Sequence, residues 1–131
     1  MKTDAAIKTD IYKVIKGSAL HNAVTGVLKK TKRPHNSDKE DIVISVLANV
    51  NGQIQVATVN VNIYVADNTV DNQPEEDTVR TAELGRLAAE LFEVFAGENF
   101  RATLISQTVF ESNGTDEHII NNKIEYKFQN E

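Results

Sequence analysis

The chain has 131 residues, of which 40% are hydrophobic and 25% charged, with a net charge of −5; these proportions suit one globular domain spanning residues 1–131. It has no cysteine, which excludes a disulfide scaffold, a Cys-based zinc or iron–sulfur site and a thiol nucleophile. No stretch approaches about 18 consecutive apolar residues, so no membrane-spanning helix is expected.

The N-terminal MKTDAAIKTDIYKVIKG scatters Lys and Asp through an apolar pattern and lacks a signal-peptide core, so it is expected to open the fold. Ile11, Val14 and Ile15, with Ile7 one turn earlier, predict a first helix over Thr9–Ile15 that ends at Gly17 in a left-handed conformation. Ser18 is placed to cap a short second turn through Leu20 and Val24. Gly26 breaks that pattern, Val27–Lys32 reads as an extended strand or arm, and Pro34, His35, Asn36, Ser37 and Asp38 as a loop.

From Ile42 the run IVISVLANV is β-branched and leads into Asn51-Gly52, which predicts a hairpin with a type I′ turn. The returning strand, Gln53–Ala66, carries Ile54 and Val56 in one parity but Val59, Val61, Ile63 and Val65 in the other. A bulge near Ala57-Thr58 would keep one face buried throughout. Residues 67–77 read as loop. Val79, Ala82, Leu84, Leu87, Ala88, Leu91, Phe92, Val94 and Phe95 then predict a helix capped by Asp77 or Thr78 and ended by Gly97. Phe100–Phe110 is expected to be a strand, Ser112–Thr115 a turn, and His118–Gln129 a last strand with Ile120, Ile124, Tyr126 and Phe128 on one side. The expected fold class is α+β: a mainly antiparallel sheet of about four to five strands with two helices on one face.

Catalytic constellations are weak. His21, His35 and His118 are far apart and form no helical HxxxH or HExxH pair, and no G-x-S-x-G elbow marks a nucleophile. Glu40-Asp41, Glu75-Glu76-Asp77 and Asp116-Glu117 sit at element junctions, where caps and solvated turns account for acids. Glu125 and Lys127 resemble a nuclease E-x-K only loosely and fit alternating residues on a wet strand face. No enzyme activity, metal or cofactor is therefore expected.

Two groups remain as interface or DNA-facing candidates. Lys29, Lys30, Lys32 and Arg33 form a basic arm that could meet phosphates, or simply protect an edge strand from unwanted pairing. Asn60, Asn62 and Tyr64 form the polar side of their strand, which could be a plain wet face, line a channel or receive a partner. The basic 27–40 region and the acidic later helix would give one subunit two dissimilar ends.

The segments GSALHNAVTG, KKTKRP, NSDKEDIVISVL and VATVNVNIYVAD, with the element order from about Ile11 to Phe128, resemble tailed-phage and prophage tail-completion proteins, also described as tail terminators or head–tail joining components. That resemblance implies a non-catalytic subunit of a ring, commonly a hexamer, whose partners are copies of itself, tail-tube proteins and head-connector proteins. It also implies passive contact with DNA in the lumen and a location in the virion or the host cytoplasm. The basic arm departs from the family pattern. The alternatives are a small nucleic-acid-binding module using residues 29–33 and a metal-dependent hydrolase using His35, His118 and the junction carboxylates.

Overall fold

The computed structural model describes residues 1–130; Glu131 lies outside the described residues. Helix α1 spans Asp4–Ile15 and α2 Ala19–Ala23; strands β1 (Leu28–Lys29), β2 (Ile42–Val50), β3 (Ile54–Ala66), β4 (Asn68–Val70) and β5 (Gln73–Glu75) follow. Helix α3 spans Thr78–Phe92, and β6 (Val94–Ala96), β7 (Phe100–Glu111) and β8 (Glu117–Gln129) complete the order.

The main sheet has six strands in the order β1-β2-β3-β8-β7-β6, and β4 pairs with β5 in a separate two-stranded sheet. The expectation of four to five mainly antiparallel strands and two helices is thus corrected to a larger, mixed sheet with three helices. The mixed character comes from β1, which runs parallel to β2. Parallel neighbours need a crossover of about a dozen residues, and residues 30–41 supply that return path.

Helix α1 begins earlier than expected because Thr3 caps it, its hydroxyl accepting from the Ala6 N–H. Ile7, Ile11 and Ile15 form its buried stripe, a spacing of four that keeps one face turned to the sheet. Gly17 takes φ +79, and Ser18 caps α2 by accepting from the His21 N–H, both as expected. The core joins these isoleucines and Leu20 to Ile42 and Ile44 of β2, Val59, Val61 and Ile63 of β3, Ile120, Ile124 and Tyr126 of β8, and Leu84, Ala88 and Phe92 of α3.

Asp77 caps α3 through the Arg80 N–H, but the helix stops at Phe92 rather than near Gly97. Val94–Ala96 instead pairs with Arg101–Thr103, because the reversal at Gly97 offers a sheet partner and lets Phe95 meet Phe100 edge-on at 6.1 Å. Val79, expected in the apolar stripe, is 79% exposed.

Two further expectations fail for related reasons. Strand β3 pairs with β8 without interruption and buries its odd positions from Gln55 to Val65, so it has no bulge at Ala57-Thr58. The register shift lies in β2 between Val46 and Ala48. Gln55 can be fully buried because its amide is satisfied: its Oε1 accepts from the Lys2 N–H at 2.8 Å, and its Nε2 donates to the Lys2 carbonyl at 2.7 Å and to Asn49 Oδ1 at 2.5 Å. Asn51 and Gly52 both lack positive φ, so their turn is not type I′; the innermost β2–β3 pair is Val50 with Val56, a wider loop. Positive φ at both central residues appears instead at Asp71 and Asn72, φ 49 and 64, where Val70 pairs with Gln73 and the expected loop contains a hairpin.

Candidate interaction surface

The strand registers sort the sheet into two faces. Side chains of α1, α2 and α3 pack on the face that carries Val59, Val61 and Ile63. On the other face, cross-strand partners line up in rows: Val43, Asn62, Asn121 and Thr108; Ser45, Asn60, Lys123 and Ser106; Ala48, Thr58, Glu125 and Thr103; Val50, Val56, Lys127 and Arg101. Half of the side chains in these rows are Asn, Ser or Thr; Val43, Ala48, Val50 and Val56 are apolar, and Arg101, Lys123 and Lys127 stand against one acid, Glu125. Asn121 Nδ2 donates to Asn62 Oδ1 at 2.7 Å and to Asn60 Oδ1 at 3.2 Å, a cross-strand ladder that fixes the amides in place. Glu125 and Lys127 form a 3.4 Å ion pair on this face, in keeping with alternating residues on a wet strand.

The end of the face near Tyr64 is closed by a clasp. Arg33 donates from Nη1 and Nη2 to the two carboxylate oxygens of Glu117 at 2.7 and 2.6 Å, and from Nε to Asp41 at 2.8 Å. Its guanidinium lies 4.1 Å from the centre of the Tyr64 ring, a cation–π stack. The Asp41 and Glu117 side chains are only 2% and 9% exposed, so Arg33 is the one cation shared by two buried acids. The bonds to Glu117 raise the Arg33 pKa against the opposing effect of burial, with Asp41 adding to the rise. Burial works against the charged form of Asp41, but hydrogen bonds from Ser37, Arg33 and the Val27 N–H outweigh it and hold its pKa below the ordinary value.

The basic arm therefore divides. Lys29, Lys30 and Lys32 are exposed, with Lys30 Nζ 5.4 Å from the Tyr12 ring centre, whereas Arg33 is committed to the clasp. Asn60, Asn62 and Tyr64 share the open face, as their parity implied, with Tyr64 beneath Arg33.

The junction carboxylates are mostly occupied as well. Glu40 takes both Nε and Nη2 of Arg80 at 2.7 Å, Glu76 accepts from the Thr81 hydroxyl at 2.6 Å, and Asp77 caps α3. The histidines do not share a partner: His21 Nδ1 accepts from the Gly17 N–H, His118 Nδ1 lies 2.6 Å from Asp67 Oδ1, and His35 is exposed in its loop. Among the described residues, no three His, Asp or Glu side chains are grouped to hold a metal ion.

Gly85 serves packing within the domain. Its carbonyl accepts from Gln107 Nε2 at 2.9 Å, and an added Cβ would come to 3.1 Å of Gln107 Oε1. Gln107 also donates to Asn122 Oδ1 at 2.7 Å, and Asn122 Nδ2 donates to the Val61 carbonyl. This relay, which runs from exposed Gln107 to buried Asn122, and the Arg33 clasp were not anticipated from the sequence. Asn122 shares the parity of Ile120 and Ile124, which could have flagged it, but nothing local links Arg33 to Glu117.

Two apolar side chains stand out on the β2 and β7 edges of this surface. The register shifts of β2 and β7 fall at Leu47 and Ile105, and these residues are 63% and 53% exposed. In comparisons with known proteins, no protein-family model matches the chain and no curated protein matches it significantly.

Proposed function

We propose that the chain is a non-catalytic assembly subunit of tail-completion type, acting as a tail terminator or head–tail joining ring component of a tailed phage or prophage. The observation that carries this reading is the open sheet face. One side of the sheet is packed against three helices, while the other places Asn, Thr and Ser at half of its row positions, with the Asn60, Asn62 and Asn121 amides held in a ladder. Neutral polar side chains of this kind cannot drive burial against an apolar partner. They suit a hydrated wall along which DNA slides, and the few cations at Arg101, Lys123 and Lys127 can touch phosphates without the dense charge of a tight binder.

In this reading copies of the chain form a ring, with tail-tube and head-connector proteins above and below it, in the virion or the host cytoplasm during assembly. The resemblance in element order supports the same assignment. A dedicated nucleic-acid module built on Lys29, Lys30, Lys32 and Arg33 has less support, because Arg33 is held by Asp41 and Glu117. A hydrolase has less still, because the carboxylates it would need are engaged in caps and ion pairs.

Light scattering across a concentration series, followed by negative-stain microscopy, tests the proposal. Rings or a concentration-dependent rise in mass are expected; a strict monomer at the highest attainable concentration would remove it.

A further inference from the structure

The sheet has two unfinished edges. Strand β1 covers β2 only at Ile42 and Val43, and β6 covers β7 only at Arg101–Thr103. Among the described residues, no backbone hydrogen bond outside the ladders with β3 and β8 reaches Ile44–Val50 or Ile105–Glu111. Every residue from Ile105 to Glu111 is exposed.

Exposed edges are normally guarded by lysine, proline or an outward charge. Here ISVLANV on β2 contains none of these, and ISQTVFE on β7 carries only the charge of Glu111 at its far end. A bulge can also protect an edge by twisting it away, and both edges have one. At each, however, the extra residue is an exposed aliphatic, Leu47 or Ile105, which adds an apolar knob to the unpaired backbone.

We infer that these two edges pair with each other between copies of the chain, β7 of one subunit hydrogen-bonding to β2 of the next, so that the sheets join head to tail. The occupant is a second copy because the two halves of the joint match within one molecule. Both segments are seven residues long, and they lie on opposite sides of the sheet. Strands β2, β3, β8 and β7 are successively antiparallel, so β2 and β7 run in opposite senses. Placed side by side in the same orientation, two copies bring β7 and β2 together antiparallel, with the open faces continuous.

The free half of β2 lies at the end of the sheet marked by Val50 and Arg101, and that of β7 at the end marked by Tyr64 and Phe110. Each joint is therefore staggered along the strands. In a closed assembly, stagger of this kind is taken up as strand tilt. Such heterologous contacts form a ring if their rotation closes and a filament if it does not. The inference rests on the assembly reading and names its interface.

The test uses the full chain with one edge blocked at a time. Leu47→Lys blocks β2 and Ile105→Lys blocks β7; both positions are exposed, so circular dichroism and melting should match the wild type. Each variant alone is expected to lose the higher oligomers but retain a mixed partner: an equimolar mixture should stop at a dimer joined through its two intact edges. Because the protein is naturally free of cysteine, Ser45→Cys on β2 can be combined in turn with Ser106→Cys, Thr108→Cys or Phe110→Cys on β7. All four side chains leave the open face, and one pairing should give an intermolecular disulfide ladder under mild oxidation. Rings that survive both lysine substitutions, with no β2-to-β7 cross-link, overturn the edge pairing and leave the assembly reading intact. Cross-links only between like edges also overturn it. A wild type that remains monomeric overturns both.

Discussion

The two faces of the sheet are built from alternate residues of the same strands, yet they obey different rules. On the helix side of β3 and β8, Val61, Ile63, Ile120 and Ile124 are fully buried, and the polar residues among them, Gln55 and Asn122, are tied down by hydrogen bonds. On the open side, Asn60, Asn62 and Asn121 bond mainly to one another and remain in reach of water. The contrast separates two physical roles: the first face holds the molecule together, while the second leaves its polar side chains open to water.

Substitutions should respect that division. Ile120→Ala on the covered face removes a fully buried side chain and should lower stability by about 3 to 4 kcal/mol, measured by chemical denaturation. Next comes the clasp, where the open face does carry structure. Arg33→Ala leaves Asp41 and Glu117 as buried unpaired acids and should cost about 3 kcal/mol. Arg33→Lys should recover only part of this, since an ammonium cannot bridge two carboxylates with a fork. If Arg33→Ala melted like wild type, residues 30–41 would have to be held by something other than the clasp.

A smaller effect is expected in acid. Asp41 has a folded pKa below its ordinary 3.8, so its stabilising contribution is complete above that pH and is lost as pH falls through the lower folded value. The stability gap between wild type and Asp41→Asn should therefore be constant near neutrality and shrink in the acid range. A gap that does not change with pH would make the role of Asp41 steric. Smallest of all, Asn62→Ala on the open face should change stability by less than about 0.5 kcal/mol, because Asn121 keeps Asn60 as a partner. A loss as large as that of Ile120→Ala would break the distinction between the faces.

Much of this arrangement was legible before the fold was known. Helix α1 announced itself through Ile7, Ile11 and Ile15, the caps at Ser18 and Asp77 through side-chain oxygens at helix starts, and the wet side of β3 through Asn60, Asn62 and Tyr64. The failures share a cause. Ile54 and Val56 are apolar but face outward, while Gln55 is polar and buried, because the N-terminal backbone at Lys2 supplies the partners its amide needs. Val94 and Phe95 continue a helical pattern but join β7, because a sheet partner lay across a tight turn. Arg33 read as one more cation in a basic arm until Glu117, distant in sequence, came within reach.

What the sequence by itself determined are the local matters: which segments are helical or extended, where helices start, which side of β3 is wet, and the absence of thiol chemistry. These follow from periodicity, capping and composition, which act over a few residues. Only the tertiary structure decided that β1 lies parallel to β2, that Leu47 and Ile105 mark the β2 and β7 edges, that Arg33 locks rather than binds, and that two edges of one sheet are left unpaired in complementary senses. Each of those depends on strands or side chains brought together from far apart in the chain, and the free energy of such contacts leaves no local periodic mark.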